Sequence, residues 1–195
     1  MARLILIRHG QSTFNADGRL QGQLDPGLSE RGREEAAALA PLLARLGADR
    51  VVASDLARAR ETAQLLGFGA ATPDARWREL DLGEWSGRHA ADVRAEVGDA
   101  YREWRAGRIT PPRAETQEAL AARAGAAARE LLAAGGTSLV FTHGGPIRAV
   151  CGELLGAPIS RFAGLANGSA TVLESASEAV RLVAYNLGGA GVEDL

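Results

Sequence analysis

The feature that most restricts the possible fold is an alternation of two kinds of segment. Short runs rich in aliphatic and β-branched residues, such as "RLILIRH" at residues 3–9, are followed by longer alanine- and leucine-rich stretches with helical spacing. Later runs of the first kind are "DRVVAS" and "TSLVFTH". Strands that alternate with helices are typical of βαβ units. The sequence therefore predicts an α/β fold with a mostly parallel central sheet.

Helix ends can be placed from capping residues. Ser29 is a suitable N-cap for the helix in "ERGREEAAALAPLLARL", which Pro41 should kink or split. After "DRVVAS" we expect a helix capped by Ser54 or Asp55, and the segment "ETQEALAARAGAAARELLAA" predicts a long helix. Near the C-terminus, "SATVLES" and "AVRLVAYN" alternate between apolar and polar residues. They predict a closing hairpin or a pair of edge strands.

The organisation of the chain predicts a single domain over residues 1–195, because no linker, repeat or low-complexity block divides it. Residues 72–113 are less regular and contain Trp77, Trp85 and Trp104. We expect this segment to form short helices and a lid over one edge of the sheet. Its arginines alternate with acids at helical spacing and should be solvated or paired: Arg88, Arg94, Arg102, Arg105 and Arg108.

Two strands end in the same way. "LILIRHG" and "SLVFTHGG" both run from apolar residues into histidine and then glycine, which places His9 and His143 at strand ends. Ligands of parallel α/β sheets bind at the carboxyl ends of strands, so both rings should emerge on one face. The glycines that follow, Gly10 and Gly144, would let a ligand approach the backbone. His89 has no such context and is interpreted as a residue of a surface helix.

Arginine supplies the next indication. Arg8 precedes His9, and "SDLARARETA" places Arg58 in the first turn of a helix at the same edge. Guanidinium groups match phosphate oxygens, and a helix N-terminus favours anions as well. Alternatively, Arg58 and Arg60 pair with acids along a solvated helix face, which we favour for Arg60. The two strand-end histidines with Arg8 and Arg58 indicate a phosphoryl site.

Composition excludes several classes. All 22 basic residues are arginine, so a mechanism that needs a catalytic lysine is impossible. The single cysteine, Cys151, permits neither an internal disulfide nor a cysteine-built zinc site. A net charge of -2 argues against nonspecific nucleic-acid binding. We find no membrane span and no signal peptide, and expect a cytoplasmic protein.

Five motifs in succession resemble those of the histidine phosphatase superfamily, the phosphoglycerate-mutase-like group. They are "LIRHGQSTFN", "LSERGREEA", "SDLARARETA", "RELDLGEWSG" and "VFTHGG", and they cover most of the chain in the same order. The resemblance implies a three-layer α/β/α sandwich around the sheet. It also implies a phosphoric monoester hydrolase of the histidine acid phosphatase type, with no cofactor and no metal.

The same resemblance assigns roles to individual residues. His9 would be the nucleophile that is transiently phosphorylated, and Glu79 of "RELDLGEW" would be the proton donor of the phosphatase branch. Glu84 in the same segment is a competing candidate. The residues expected to hold the phosphoryl group are Arg8, Asn15, Arg58, His143 and Gly144.

The substrate would be a small phosphomonoester. Sugar phosphates, glucosyl-3-phosphoglycerate, α-ribazole phosphate and a broad range of monoesters all remain open. A phosphoglycerate mutase is the main alternative, although "RELDLGEWSG" and the short chain look like the phosphatase branch. An inactive homologue that binds a phosphorylated metabolite is the alternative of another class. A homodimer is one possible assembly.

Overall fold

A mixed β-sheet forms the centre of the computed structural model, which describes residues 1–176 and 179–188. The strands of these residues are β1 (Ala2–Arg8), β2 (Arg50–Ala53), β3 (Thr72–Pro73), β4 (Gly136–Thr142), β5 (Ser169–Ala176) and β6 (Ala179–Gly188). Their order across the sheet is β3-β2-β4-β1-β5-β6. β1 to β4 are mutually parallel, whereas β5 is antiparallel to both of its neighbours. The mostly parallel sheet is confirmed, and β5 and β6 form the expected antiparallel pair at its edge, while residues 177–178 and 189–195 lie outside the described residues.

Helices connect these strands. They are α1 (Thr13–Ala16), α2 (Glu30–Ala37), α3 (Ala40–Leu46), α4 (Ala57–Leu65), α5 (Ala90–Val97), α6 (Asp99–Arg105), α7 (Gln117–Ala133) and α8 (Gly144–Leu155). Short 3-10 turns occupy Ala75–Trp77, Gly83–Trp85 and Ile159–Arg161. The crossovers between parallel strands thus carry helices, as the alternation of segments predicts.

The two faces of the sheet are covered by different helices. Successive side chains of a strand point to opposite faces. Leu4 and Leu6 of β1 belong to a buried cluster that includes residues of α7 and α8, whereas Ile5 and Ile7 belong to a cluster with residues of α3 and α4. All four side chains are 0% exposed. The three-layer α/β/α arrangement is confirmed, and burial of both faces explains why β1 reads as a continuous apolar run.

The register of β1 and β4 brings the two histidine motifs together. Arg8 lies opposite Thr142 in the parallel ladder, so the next residue of each strand leaves the sheet at the same edge. The N–H of His9 continues the ladder by donating to the carbonyl of Thr142 at 3.0 Å. The backbones of His9 and His143 therefore lie side by side at this edge of the sheet.

One predicted helix boundary is confirmed and another is wrong. Ser29 caps α2 through its hydroxyl, and the chain is split near Pro41 into α2 and α3. The N-cap of α4, however, is Leu56, and neither Ser54 nor Asp55 caps it. The Ser54 hydroxyl lies instead beside the ring of His143, at 2.9 Å.

Residues 72–113 contain short helices, as expected, but these residues do not all belong to one lid over the sheet edge. Trp85 and Trp104 pack edge to face, with ring centroids 5.3 Å apart, and share a buried cluster with Leu120 of α7 and Ala149 of α8. Trp77 belongs instead to the core between the sheet and α7 and α8, where it is 0% exposed. Our grouping of all three tryptophans in one lid is therefore wrong for Trp77.

Candidate active site

His9 is held in one tautomer. It follows β1 directly and is 2% exposed, and its Nδ1 lies 2.6 Å from the carbonyl oxygen of Gly10. Because a carbonyl only accepts hydrogen bonds, Nδ1 carries the ring proton and Nε2 keeps a lone pair. Arg58 Nε donates to that Nε2 at 3.2 Å. The arrangement leaves Nε2 as a nucleophilic nitrogen.

The backbone after His9 packs tightly against α2. A Cβ at Gly10 would lie 2.0 Å from the carbonyl oxygen of Gly32. The Gly10 N–H donates to Thr62 Oγ1 at 3.2 Å, and that hydroxyl donates to the Arg58 carbonyl at 2.8 Å. We expected Gly10 to let a ligand approach the backbone, but the close neighbour is a helix. Because residue 10 has no side chain, the backbone can pack closely against α2, and this packing fixes the position of His9.

His143 lies beside His9 and is the N-cap residue of α8. The two ring centroids are 5.1 Å apart in an edge-to-face arrangement, and His143 is 0% exposed. Its Nε2 forms a hydrogen bond with Ser54 Oγ at 2.9 Å. Its Nδ1 is buried with no partner among the described residues. One ring nitrogen of His143 is therefore hydrogen-bonded, and the other has no partner among the described residues.

Two arginines complete the group around His9. Arg58 is 0% exposed and donates to the carbonyls of Leu24 and Gly22 at 2.8 and 2.9 Å, in addition to His9. Arg8 donates to the carbonyl of Leu165, and its buried Nε has no partner among the described residues. Arg58 thus ties a surface loop to His9, while Arg8 keeps a free donor.

The electrostatics of this group favour uncharged rings and attract anions. Burial, followed by the charges of Arg58 and Arg8, holds the pKa of His9 well below its usual value. Burial and then Arg58 lower the pKa of His143 in the same way. Burial also lowers the pKa of Arg58 to about 10, which still leaves it charged near neutral pH. Two neutral imidazoles therefore lie among fixed cations.

Glu79 is positioned by two backbone N–H groups and by the side chain of Arg123. Its Oε2 accepts from the Gly145 N–H at 3.2 Å, and its Oε1 accepts from the Leu80 N–H at 2.8 Å. Arg123 of α7 donates to the carbonyl of Glu79 at 3.0 Å and also to those of residues 76 and 78. Glu84, the competing acid, is 51% exposed and pairs with Arg113 at 3.3 Å. Geometry thus favours Glu79.

The glycines that follow His143 differ in their steric requirement. A Cβ at Gly144 would meet its nearest neighbour, Arg8 Nε, at an ordinary 3.5 Å. A Cβ at Gly145 would lie only 2.0 Å from Glu79 Oε1. Of these two positions, Gly145 is therefore the one where a side chain would clash. The motifs in the sequence did not identify this residue.

A cavity of about 240 Å³ opens onto this group. Five of the seven expected site residues line it, namely Arg8, His9, Asn15, Glu79 and Gly144. Arg58 and His143 are not part of the lining and contact or flank His9. Asn15 Oδ1 accepts from Asn167 Nδ2 at 3.0 Å, and no described residue accepts a hydrogen bond from Asn15 Nδ2. The expected residues thus converge on one small site.

The same cavity contains residues that the sequence analysis missed or placed elsewhere. Arg105 of α6 and Arg148 of α8 both line it. Arg88, Arg102 and Arg108 pair with acids as expected, but Arg105 does not. Nothing in the sequence separates Arg105 from its neighbours, because all of them share one helical charge pattern.

Metal binding and membrane insertion can be examined over the described residues. Across the part of the chain that the structure describes, no three His, Cys, Asp or Glu side chains lie close enough to hold a metal ion. None of the described helices is long and apolar enough to cross a membrane. His89 caps α5, with Nδ1 at 3.1 Å from the Asp17 carbonyl, and does not line the cavity.

Comparison with known proteins gives consistent matches over most of the chain. A family model described as "Histidine phosphatase superfamily (branch 1)" matches residues 4–188. A glucosyl-3-phosphoglycerate phosphatase from Mycolicibacterium vanbaalenii is 39% identical over 173 residues, covering 82% of this chain and 77% of the relative. A protein from Citrobacter koseri named "Probable phosphoglycerate mutase GpmB" is 32% identical, covering 81% and 77% respectively.

A solved structure extends this similarity to the fold. The structure of a mycobacterial glucosyl-3-phosphoglycerate phosphatase complexed with VO3 superposes with a TM-score of 0.89 at 36% identity. The match covers 96% of this chain and 100% of that one.

Proposed function

Because this chain belongs to the histidine phosphatase superfamily, branch 1, we propose that it hydrolyses phosphomonoesters through a phosphohistidine at His9. The observation that carries this proposal is the neutral His9 ring, whose Nδ1 is bound to the Gly10 carbonyl so that Nε2 keeps its lone pair. A neutral imidazole is a competent nucleophile toward phosphorus. Phosphorylation of His9 followed by hydrolysis of the phosphohistidine replaces one difficult displacement with two easier steps.

In the first step, Nε2 of His9 attacks phosphorus and the bond from phosphorus to the leaving oxygen breaks. Glu79 gives a proton to that oxygen, so an alcohol leaves instead of an alkoxide. The phosphoryl oxygens remain negative throughout, and Arg8 Nε is an unpartnered donor beside His9. We assign the ring proton of His143 to Nδ1, which has no partner among the described residues, so that Nε2 accepts from Ser54 Oγ and Nδ1 donates to the phosphoryl group. Arg58 contributes its charge next to Nε2, and the Asn15 amide and the Gly144 N–H complete the phosphate-binding set.

In the second step, water attacks the phosphohistidine. The Glu79 carboxylate takes a proton from the water, the bond between nitrogen and phosphorus breaks, and its electron pair returns to Nε2. Inorganic phosphate leaves and the starting state is restored. This is the chemistry of a histidine acid phosphatase, in which side chains instead of a metal ion supply the positive charge.

The substrate we propose is a small phosphorylated metabolite such as a sugar phosphate or a glucosylated phosphoglycerate. Two of the relatives named above are glucosyl-3-phosphoglycerate phosphatases, which supports this class. A mutase would keep the dephosphorylated product bound and return the phosphoryl group to it. We favour the hydrolase, with the part of residues 72–113 that contains Trp85 and Trp104 as a lid that releases the product. The single domain, the homodimer and the cytoplasmic location stay predictions.

Rapid-quench labelling with a slowly hydrolysed monoester tests the proposal. The label should survive alkali, decay in acid as a phosphoramidate does, and map to His9. Label on a serine, or on His143 alone, would refute the assignment of the nucleophile.

A second measurement separates the hydrolase from the mutase. With 3-phosphoglycerate as substrate, stoichiometric inorganic phosphate should appear without 2-phosphoglycerate, even when 2,3-bisphosphoglycerate is added. Isomerisation faster than phosphate release would make the protein a mutase and would leave His9 in its role. Absence of any phosphate release or label over a panel of monoesters would favour the inactive binding homologue.

A further inference from the structure

The peptide group between Gly10 and Gln11, which we call the linking amide, is bound at both of its polar atoms. Its carbonyl oxygen, that of Gly10, lies 2.6 Å from Nδ1 of His9 and accepts a hydrogen bond from it. Its N–H, that of Gln11, donates to Oε2 of Glu35 in α2 at 2.8 Å. One planar group therefore connects a carboxylate to the ring of the proposed nucleophile.

The linking amide is held in place by the backbone of α2. A Cβ at Gly32 would lie 1.9 Å from the carbonyl oxygen of Gln11, so the helix and the chain after His9 are in direct contact. The same carbonyl oxygen accepts from the N–H of Ser29, the N-cap residue of α2, at 2.9 Å. Glu35 belongs to this helix, and its position relative to the linking amide is therefore fixed by backbone packing.

Glu35 is not among the residues that line the cavity beside His9. Its side chain is 22% exposed, and its second carboxylate oxygen pairs with Arg31 Nε at 3.0 Å. Arg31 is 73% exposed, so water screens most of the charge that it brings. A Cβ at Gly168 would lie 2.8 Å from Glu35 Cβ, so the chain before β5 covers one side of Glu35. Because its hydrogen bond to the linking amide is partly buried and its ion pair with Arg31 is exposed, the carboxylate acts most strongly on the linking amide.

Phosphoryl transfer changes the charge on the ring of His9. When the lone pair of Nε2 forms a bond to phosphorus, the ring becomes cationic while Nδ1 keeps its proton. Burial, and then the charges of Arg58 and Arg8, oppose a positive charge at this position and hold the pKa of His9 well below its usual value. The carboxylate of Glu35 polarises the linking amide, and a polarised carbonyl oxygen is a stronger acceptor for the Nδ1 proton. The chain of hydrogen bonds therefore stabilises the cationic ring more than the neutral ring.

We propose that Glu35 is a positioning residue for the phosphorylation of His9, which acts through the linking amide to stabilise the positive charge on the ring. The inference rests on the proposed phosphatase function and adds to it a residue outside the cavity. Glu35 exchanges no proton: the bond from Nε2 to phosphorus forms, the bond from phosphorus to the leaving oxygen breaks, and Nδ1 remains protonated. In a serine hydrolase a carboxylate binds the histidine directly, whereas here the linking amide lies between the two groups.

Glu35→Gln tests the charge without removing the contact. Glutamine keeps a side-chain oxygen that can accept from the Gln11 N–H, and it removes the negative charge. The rate at which His9 is phosphorylated, measured by rapid quench in a single turnover of p-nitrophenyl phosphate, should fall about threefold to tenfold, no more than the difference between a hydrogen bond to a charged group and one to a neutral group. The inhibition constant of inorganic phosphate should not rise, because the variant removes a negative charge whose field reaches Arg8.

Glu34→Gln is the matched control, since it makes the same change at the exposed neighbouring position of α2. The rate of phosphorylation and the inhibition constant of phosphate should keep their wild-type values. A general change in the electrostatic field around the site would instead affect both variants alike.

The Nδ1 proton of His9 gives a readout that does not depend on turnover. Its NMR resonance, assigned in protein with isotope-labelled histidine by its loss in His9→Gln, reports the strength of the hydrogen bond to the linking amide. The resonance should move upfield in Glu35→Gln and stay in place in Glu34→Gln.

The proposal is overturned by an unchanged phosphorylation rate in Glu35→Gln, by an unchanged Nδ1 resonance, or by an equal effect of Glu34→Gln. A rise in the inhibition constant of phosphate as large as the loss of rate would also overturn it, because that pattern indicates a distorted site. In each of these cases the wild-type protein still forms the phosphohistidine, so the proposed phosphatase function stands. Absence of label on His9 in the wild-type protein is the separate result that would remove that function.

Discussion

Replacing Gly145 with alanine should damage proton donation without damaging the fold. The new Cβ would lie 2.0 Å from Glu79 Oε1, and real Cβ contacts do not fall below 3.0 Å, so the carboxylate must retreat by at least 1.0 Å, which is 3.0 minus 2.0. That movement stretches or breaks the 3.2 Å hydrogen bond from the Gly145 N–H. The carboxylate is the end of a flexible side chain, and alanine favours a helix over glycine by up to about 1 kcal/mol. The melting temperature should therefore not fall.

The activity should fall in a way that depends on the leaving group. A misplacement of about 1 Å can cost roughly a hundredfold, which is within the range that a general acid contributes. We expect kcat/KM for an alkyl or sugar phosphate to fall about a hundredfold, and kcat/KM for p-nitrophenyl phosphate to fall no more than about threefold, since that leaving group hardly needs a proton.

Gly144→Ala is the matched control for this variant. It adds the same methyl group one residue earlier, where the nearest atom is 3.5 Å away, and it keeps the backbone N–H. The ratio of kcat/KM between the two substrates should stay at the wild-type value. A similar change of that ratio in both variants, or equal losses on both substrates in Gly145→Ala, would refute the role given to Glu79.

Three other predictions concern the group around His9. The free energy of unfolding should decrease as the pH falls below about 6.5, because burial lowers the pKa values of His9 and His143 and the unfolded chain then binds more protons. The slope can reach about 1.4 kcal/mol per pH unit for each ring, and urea unfolding at pH 7.5 and 5.5 measures it; equal stability at both would contradict the burial of neutral rings. Ser54→Ala removes the hydroxyl 2.9 Å from His143 Nε2 and should lower kcat/KM about tenfold or more, equally for alkyl and p-nitrophenyl phosphates, because it affects phosphoryl binding. A loss confined to alkyl phosphates would argue for a role in proton donation. Activity should persist in excess chelator, because arginines supply the positive charge, and recovery by added Mg²⁺ after a complete loss would rule this mechanism out.

The convergence of the two histidine motifs could be predicted from the sequence because it depends on regular structure. Two apolar strands that end in the same way, placed side by side in a parallel sheet, must deliver His9 and His143 to one edge. Arg58 follows from the same logic, since the helix after β2 starts at that edge. The side chain of Arg58 is fully buried, and its position in the sequence does not predict this burial.

The contacts that could not be predicted join residues far apart in the sequence. Gly145 and Glu79 are separated by 66 positions, so no local pattern reveals their close approach. Ser54 looks like a helix cap, yet its hydroxyl is engaged by His143, 89 positions away. Arg105 is distinguished from Arg102 by the direction in which its side chain leaves α6. In each case tertiary packing sets the contacts of the side chain, and the local sequence does not reveal them.

The attachment of Glu79 to Arg123 separates the proton donor we propose from one part of the cavity wall. One guanidinium on α7 binds the carbonyls of residues 76, 78 and 79, so Glu79 is anchored to the core of the sandwich. Leu82, Trp104 and Arg105 follow it in the chain and line the same cavity, whereas other parts of the wall come from α8 and from Ile159, Gly164 and Leu165. Substitutions at Leu82, Trp104 or Arg105 can therefore reshape one side of the cavity while these three hydrogen bonds still hold Glu79 in place.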